Sequence, residues 1–166
     1  MARKIGYHYS NMKYKDGETI PPYDNMPGLH SSLHAVEGLI RSAHPNGTSI
    51  RSKTVYLWDD EARARQQWDA AGRAGKAKKY LYTVEYEDAD LLHKGDLNHY
   101  TDARDFADAG ARSAAAASYW TGELHMEEPP RVELMVRSAT VVAAEVYRAP
   151  LPAPWTDDDS PFLNPT

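Results

Sequence analysis

The stretch VELMVRSATVV, residues 132–142, decides the fold because it predicts two consecutive strands close to the end of the chain. Residues that favour strands fill it, and the pattern predicts strands at 131–137 and 140–148. One acid, Glu133, lies inside this apolar run. A carboxylate is costly to remove from water unless it is paired or hydrogen-bonded. Glu133 is therefore either a functional residue or an acid on the solvent-facing side of its strand, with its apolar neighbours buried.

Strands and helices alternate through the part of the chain that precedes this stretch. The strands have β-branched and aromatic residues or alternate polar and apolar positions, whereas the helices have apolar stripes, acidic first turns or many alanines. The predicted earlier strands are 4–9, 52–58 and 77–87, the predicted helices are 29–44, 59–75 and 101–120, and irregular segments are predicted at 11–28, 88–100 and 121–130. These elements indicate an α+β domain at 1–148. Five prolines and three consecutive aspartates predict an extended tail at 149–166.

The composition limits the classes of protein to which the chain can belong. A chain of 166 residues is most simply one domain. The net charge of −5 argues against a protein that holds long nucleic acid by neutralising its phosphates, although a local basic patch could make brief contact. The absence of cysteine excludes disulfides and thiolate metal sites. No stretch approaches the roughly 20 apolar residues of a membrane span, and no signal peptide is visible. We therefore expect a cytoplasmic protein without a membrane partner.

Three short motifs stand in a characteristic order along the chain: YHYS at 7–10, VYLW at 55–58 before an acidic helix start, and VELMV at 132–136. Their order and setting resemble the ADP-ribosyltransferase superfamily, in the H-Y-E branch that includes poly(ADP-ribose) polymerases. The first two motifs are also similar to those of rifampicin ADP-ribosyltransferases. The last is similar to a motif of bacterial toxins that ADP-ribosylate DNA. The resemblance implies an ADP-ribosyltransferase-like fold, with a mixed or antiparallel split sheet and inserted helices.

The same resemblance implies a catalytic residue and a site for NAD, with no metal required. Breaking the bond between nicotinamide and ribose develops positive charge on the ribose, and a nearby carboxylate stabilises that charge. By family analogy, Glu133 has this role, and Tyr56 stacks on nicotinamide. His8 bonds the adenosine ribose, the backbone at Tyr9 receives the nicotinamide amide, and Ser10 adds a hydrogen bond.

Two positions depart from the family pattern. Tyr9 occupies the place of a family glycine, which permits close approach of the backbone, so its side chain either lines or blocks the nicotinamide pocket. Arg131 stands two residues before Glu133, where the arginine-modifying branch has an acid or glutamine, so we do not expect modification of protein arginines. In the segment that precedes Glu133, Tyr119 and Trp120 could stack on a base or a planar drug, and Arg131 could contact a phosphate.

These observations predict an NAD-dependent mono-ADP-ribosyltransferase of the toxin, phage or defence effector, or drug-modifying type. A nucleic acid or a nucleotide-like small molecule is the favoured acceptor, ahead of protein, and an antitoxin or immunity protein is a possible partner. Two alternatives remain open. The first is an RNA 2′-phosphotransferase on the same fold, and the second is a non-catalytic nucleotide-binding module.

Other residues compete for the catalytic and metal-binding roles. Asp88, Asp90 and Asp96 are rivals of Glu133, because an acid follows the third strand in the rifampicin enzymes. His30 and His34 share a helical face at a spacing that can bind zinc. No acid accompanies them in an H-E-x-x-H pattern, so we expect no metal site.

Overall fold

The computed structural model describes residues 2–149, and the predicted tail beyond Ala149 lies outside the described residues. This part of the chain is an α+β structure in which five helices accompany one curled antiparallel sheet of seven strands. The strands are β1 (Arg3–Ser10), β2 (Thr19–Ile20), β3 (Val55–Trp58), β4 (Tyr80–Glu87), β5 (Leu91–Asp96), β6 (Val132–Val136) and β7 (Ala139–Val146). The helices are α1 (His34–Ser42), α2 (Gly47–Ser52), α3 (Glu61–Arg73), α4 (Leu97–Asp105) and α5 (Ala109–Thr121). Within residues 2–149, no helix is both long and apolar enough to cross a membrane.

The sheet opens between two of its central strands. Its order is β2-β7-β4-β1-β3-β6-β5, and every neighbouring pair is antiparallel. β1 pairs with β4 from Arg3 to Ser10, whereas it pairs with β3 only where Tyr7 lies opposite Trp58. The sheet therefore has two halves, β2-β7-β4-β1 and β3-β6-β5, which separate on either side of this single contact.

Apolar side chains pack on both faces of the sheet. Residues of the two halves, such as Tyr82, Leu57 and Leu134, form one buried cluster. The opposite face of the β3-β6-β5 half is covered by α1, α4 and α5, which pack around Met135. α3 covers the β1-β4 half through Trp68. Because alternate residues of a strand point to opposite faces, Leu134 points to the first cluster, whereas Met135 points to the helices.

Most of the predicted elements are confirmed by the structure. The predicted strands at 4–9, 52–58, 77–87, 131–137 and 140–148 correspond to β1, β3, β4, β6 and β7, and the predicted helix at 59–75 corresponds to α3. Asp60 begins α3 as its N-cap, because its carboxylate accepts a hydrogen bond from the backbone of Arg63 at 2.7 Å.

The prediction of irregular structure at 88–100 is wrong. β5 occupies Leu91–Asp96 at the edge of the sheet, and α4 begins immediately after it. Lys94 and Gly95 give this strand a low intrinsic preference for β structure, so pairing with β6 decides its conformation. Asp96 is the N-cap of α4 and accepts a hydrogen bond from the backbone of Asn98 at 2.9 Å.

Two predictions about helices also need correction. The segment 101–120 is not a single helix, because Phe106 is extended and Asp108 caps a new helix by accepting from the backbone of Ala111 at 2.7 Å. The predicted helix at 29–44 is too long. α1 is shorter than predicted, and the short helix α2 lies between it and β3.

Gly95 on β5 lies opposite Glu133 on β6, and its lack of a side chain leaves room for the Tyr119 ring. A Cβ atom at Gly95 would lie 2.7 Å from a ring carbon of Tyr119. We expect Gly95→Ala to lower the free energy of unfolding by about 1–3 kcal/mol, because the ring cannot move without disturbing its neighbours. Gly38→Ala is the control. A Cβ atom there meets nothing within 4 Å in α1, so this variant should stabilise the protein by about 0.5–1 kcal/mol. Urea unfolding of both variants checks the prediction, which a neutral Gly95→Ala would contradict.

Candidate active site

A cavity of about 190 Å³ lies where the sheet opens, and all three sequence motifs contribute to its wall. The lining residues are His8, Tyr9, Tyr23, Tyr56, Leu57, Trp58, Leu97 and Glu133. Residues far apart in sequence, on β1, β3 and β6, therefore surround one space. A larger cavity of about 340 Å³ between α1, α4 and α5 contains none of the motif residues.

Glu133 lines this cavity, and within residues 2–149 only one of its two carboxylate oxygens accepts hydrogen bonds. Oε1 accepts hydrogen bonds from the Tyr119 hydroxyl at 2.6 Å and from Arg51 Nη1 at 3.1 Å. Oε2 accepts no hydrogen bond from any of residues 2–149. The side chain is only 14% exposed, so the alternative of a solvent-facing acid is wrong. Glu133 is on the helix-covered face of its strand, where Arg51 compensates the cost of burying its charge.

Arg51 joins Glu133 to a buried network that the sequence did not reveal. Its side chain is 2% exposed and forms a two-point ion pair with Glu37, at 2.6 Å from Nε to Oε1 and 3.1 Å from Nη2 to Oε2. Glu37 also accepts from Arg41 Nε at 3.0 Å and from the Tyr100 hydroxyl at 3.1 Å. Burial alone would raise the pKa of Glu37, but the two arginines lower it overall, so Glu37 is a carboxylate.

We call Glu37, Arg41, Arg51, Tyr119 and Glu133 the Arg51 network. Arg51 Nη1 donates to the Tyr119 hydroxyl at 2.6 Å, and this hydroxyl in turn donates to Glu133. Each side-chain nitrogen of Arg51 donates to at least one acceptor of the network. The network holds the Glu133 carboxylate in one orientation toward the cavity.

His8 is buried at the same cavity and is hydrogen-bonded on one side. Nδ1 lies 2.9 Å from the Tyr56 carbonyl oxygen, so Nδ1 carries the proton and Nε2 remains an acceptor in the neutral ring. Burial lowers the pKa of His8, and the hydrogen bond to Tyr56 only partly offsets this effect. The Tyr23 ring meets the imidazole edge-on, at 6.2 Å between centroids.

Tyr56 and Tyr23 form an aromatic wall. Their ring centroids are 5.6 Å apart, and the Arg51 guanidinium lies 5.3 Å from the Tyr56 centroid. The Tyr56 hydroxyl donates to the Arg51 carbonyl oxygen, and burial raises the pKa of Tyr56. Burial, together with the charge of Glu133, raises the pKa of Tyr23 to about 12. Sequence reasoning missed Tyr23, whose only signal is its place after two prolines in the segment 11–28.

Tyr9 and Ser10 occupy different positions relative to the cavity. Tyr9 lines it, but the phenol hydroxyl donates to the Ala64 carbonyl oxygen in α3, and the ring packs 6.4 Å from that of Trp58. The end of the Tyr9 side chain is therefore anchored to α3. Ser10 is not a lining residue, and its hydroxyl accepts from the backbone of Met12 at 3.0 Å.

The predicted substrate-binding residues Trp120 and Arg131 do not line the cavity. Tyr119 and Trp120 both lie in α5, which ends at Thr121. Tyr119 is fully buried in the Arg51 network. The Trp120 indole donates to the Ile40 carbonyl oxygen at 2.7 Å, which joins α5 to α1. Arg131 is half-buried immediately before β6.

The rival acids are engaged elsewhere. Asp96 is buried and accepts from the backbones of Asn98, His125 and Arg131, at 2.9, 3.0 and 3.2 Å. Asp88 pairs with Lys4 at 2.6 Å, and Asp90 belongs to the same short helical turn. Among the residues of 2–149 that line the cavity, Glu133 is the one acid.

Metal coordination finds no support in the described part of the chain. Residues 2–149 contain no group of three or more His, Cys, Asp or Glu side chains that could hold a metal ion. The expectation that His30 and His34 share a helical face is wrong, because His30 has an extended backbone and precedes α1, and its Nδ1 lies 2.8 Å from the Ser32 hydroxyl oxygen.

Comparison with known proteins identifies no family. No protein-family model matches the chain, and a search of curated proteins found no significant match.

The buried imidazole of His8 makes stability depend on pH. Because its pKa is lowered, the His8 imidazole stays neutral in the folded protein, whereas in the unfolded chain it takes up a proton near the ordinary pKa of histidine. Stability therefore falls as pH decreases. We expect His8→Gln to reduce the loss of unfolding free energy between about pH 7.5 and about pH 5, where one such group contributes at most about 1.4 kcal/mol per pH unit. Urea unfolding at both pH values measures it, with His30→Gln as an exposed control. An unchanged pH dependence in His8→Gln would contradict the account.

Proposed function

We propose that this protein is an NAD-dependent mono-ADP-ribosyltransferase with an ADP-ribosyltransferase-like fold, in which Glu133 is the catalytic carboxylate. The observation that carries the proposal is the Glu133 carboxylate, which lines the cavity together with His8 and Tyr56 and, within residues 2–149, is held through Oε1 alone. The two-part sheet that opens between β1 and β3 supports the proposed fold.

The proposed reaction needs one negative charge beside the ribose of NAD. The bond between C1′ and the nicotinamide nitrogen breaks, and nicotinamide leaves with the electron pair. Positive charge then develops on the ribose, where the Glu133 carboxylate stabilises it. An oxygen or nitrogen of the acceptor forms the new bond to C1′ and loses a proton. Arg51 and Tyr119 hold Oε1, so the carboxylate does not have to reorient during the reaction.

The size of the cavity suits one ring of the dinucleotide. About 190 Å³ is below the roughly 300–1,000 Å³ of pockets that enclose a whole ligand. The nicotinamide ring would enter the cavity and stack on a face of Tyr56, since aromatic faces stack on flat rings. The remainder of NAD would lie outside the cavity, near His8 on β1. Because the Tyr9 hydroxyl is anchored on α3, we expect Tyr9 to line the pocket rather than block it.

The two alternatives have less support. RNA 2′-phosphotransfer depends on arginine contacts to phosphate, but no arginine is among the described lining residues of the cavity. A module that only binds nucleotides has no use for a buried carboxylate that is held on one oxygen and open on the other.

Mass spectrometry tests the proposal directly. Purified protein is incubated with NAD and, separately, with single-stranded DNA, RNA, 2′-phosphorylated RNA, nucleotides and protein mixtures. We expect release of nicotinamide and an ADP-ribose adduct on one of these acceptors. NAD that remains intact with every acceptor would remove the proposal, and turnover of 2′-phosphorylated RNA alone would replace it with the first alternative.

A further inference from the structure

Arg131 is a half-buried arginine without a counter-ion. Its Nη1 donates to two neutral oxygens, at 3.3 Å to the Thr101 hydroxyl and 3.5 Å to the Asn98 side chain. Its Nε is buried and has no hydrogen-bond partner. The guanidinium forms no ion pair with any of residues 2–149, and both oxygens of the nearby Asp96 accept from backbone N–H groups instead.

This environment leaves the positive charge uncompensated. Burial lowers the pKa of Arg131, the charge of Asp96 partly opposes this shift, and the charges of Arg63 and Arg104 add to it. This half-buried charge has no ion-pair partner among residues 2–149, so an anionic ligand would stabilise it. Anionic groups with planar or tetrahedral oxygens, such as phosphate, match the guanidinium best.

The position of Arg131 relates it to the second substrate rather than to NAD. Arg131 precedes Glu133 by two residues, and its carbonyl oxygen accepts from the backbone of Leu97, which lines the cavity, at 2.9 Å. In the sheet, β5 and β1 lie on opposite sides of β3 and β6. Arg131 contacts the end of β5, whereas His8 lies on β1. The contacts of Arg131 are therefore with the end of β5 and with α4, whereas the proposed dinucleotide site lies toward β1.

We propose that Arg131 binds a backbone phosphate of the acceptor, and that the acceptor is a single-stranded nucleic acid. This inference rests on the proposed function, because it takes Glu133 as the point where ADP-ribose is transferred. A single strand fits better than a duplex, since the atoms of a base inside a duplex cannot reach C1′ of the ribose beside Glu133. One phosphate contact is also compatible with a protein of net charge −5, which cannot hold a long duplex by charge alone.

Fluorescence anisotropy with a short, labelled single-stranded DNA, measured in the absence of NAD over a range of salt concentrations, tests the inference. We expect Arg131→Gln to weaken binding about tenfold and to reduce the slope of log K against log salt by about 0.7, the value for one phosphate contact on a single strand. Arg137→Gln is the matched control. Arg137 is exposed at the other end of β6, where it donates to the Ala89 carbonyl oxygen, so its loss should change neither quantity.

Two further measurements separate the outcomes. Arg131→Lys keeps the charge without the Nε donor, so it should retain the salt slope with weaker binding, and it serves if Arg131→Gln does not fold. Calorimetric titration with NAD should give the same affinity for wild type and for both Arg131 variants. The inference is overturned if wild type does not bind the DNA, if Arg131→Gln behaves like Arg137→Gln, or if NAD affinity falls instead. Failure of the proposed function would be seen in a different measurement, because NAD would then stay uncleaved whatever the affinity for DNA.

Discussion

Glu133→Gln is expected to lower the rate constant for nicotinamide release from NAD by about 10²–10³-fold, the usual effect of removing one preorganised electrostatic contact. Glutamine has the shape of glutamate, so its carbonyl oxygen can still accept from Tyr119 and Arg51. The negative charge beside the ribose is lost, however. That charge stabilises the positive ribose of the transition state more than it stabilises bound NAD. The affinity for NAD should therefore change by no more than about threefold.

Glu145→Gln is the control for this experiment. Glu145 is an exposed glutamate on β7 whose partner, Arg65, lies at 2.7 Å on the surface, and it does not line the cavity. This variant should release nicotinamide at the wild-type rate. An undiminished rate in Glu133→Gln, or an equal loss in both variants, would show that the Glu133 carboxylate is not the catalytic group.

Arg51→Met is expected to lower the free energy of unfolding by about 3–5 kcal/mol, because it leaves Glu37 and Glu133 buried without their shared partner. Arg51 is 2% exposed and Glu37 is fully buried, so water cannot compensate the Glu37 carboxylate without movement of α1 or α2. The loss should depend little on salt, since ions do not screen a buried pair effectively. Urea unfolding at low and high salt measures both quantities.

Arg65→Met is the matched control. Arg65 also has two carboxylate partners, Glu61 at 3.1 Å and Glu145 at 2.7 Å, but its side chain is 44% exposed. Exposed ion pairs contribute about 0–1 kcal/mol, so this variant should lose no more than that. Similar losses in the two variants would contradict the view that the Arg51 network is a stabilising unit of the site.

The parts of the fold that sequence predicts are those with a local signal. β1 and β4 alternate clearly, and α3 begins with an aspartate that caps it. The break between α4 and α5 also had a local signal, the capping residue Asp108, but the many alanines around it favoured the prediction of one continuous helix. Gly122, whose φ is +75°, is the local signal for the end of α5. β5 had no such signal, because it forms only where β6 offers it a partner.

The candidate site divides in the same way. The residues of the three motifs, including His8, Tyr56 and Glu133, were predicted from their order and setting, and they line one cavity. Arg51 was not predicted, because its contact with Glu133 spans 82 positions and nothing in the short segment around it marks a buried arginine. Tyr23 was missed for the same reason, because it lies in a loop and its contacts with His8 and Tyr56 form only in the folded protein.

A crystal structure with a non-hydrolysable NAD analogue tests the central claim most directly. We expect the nicotinamide ring in the cavity against the face of Tyr56, with the ribose C1′ beside Oε2 of Glu133 and the adenosine end toward His8. Density for the analogue at another surface, or in this cavity with the ribose turned away from Glu133, would contradict it.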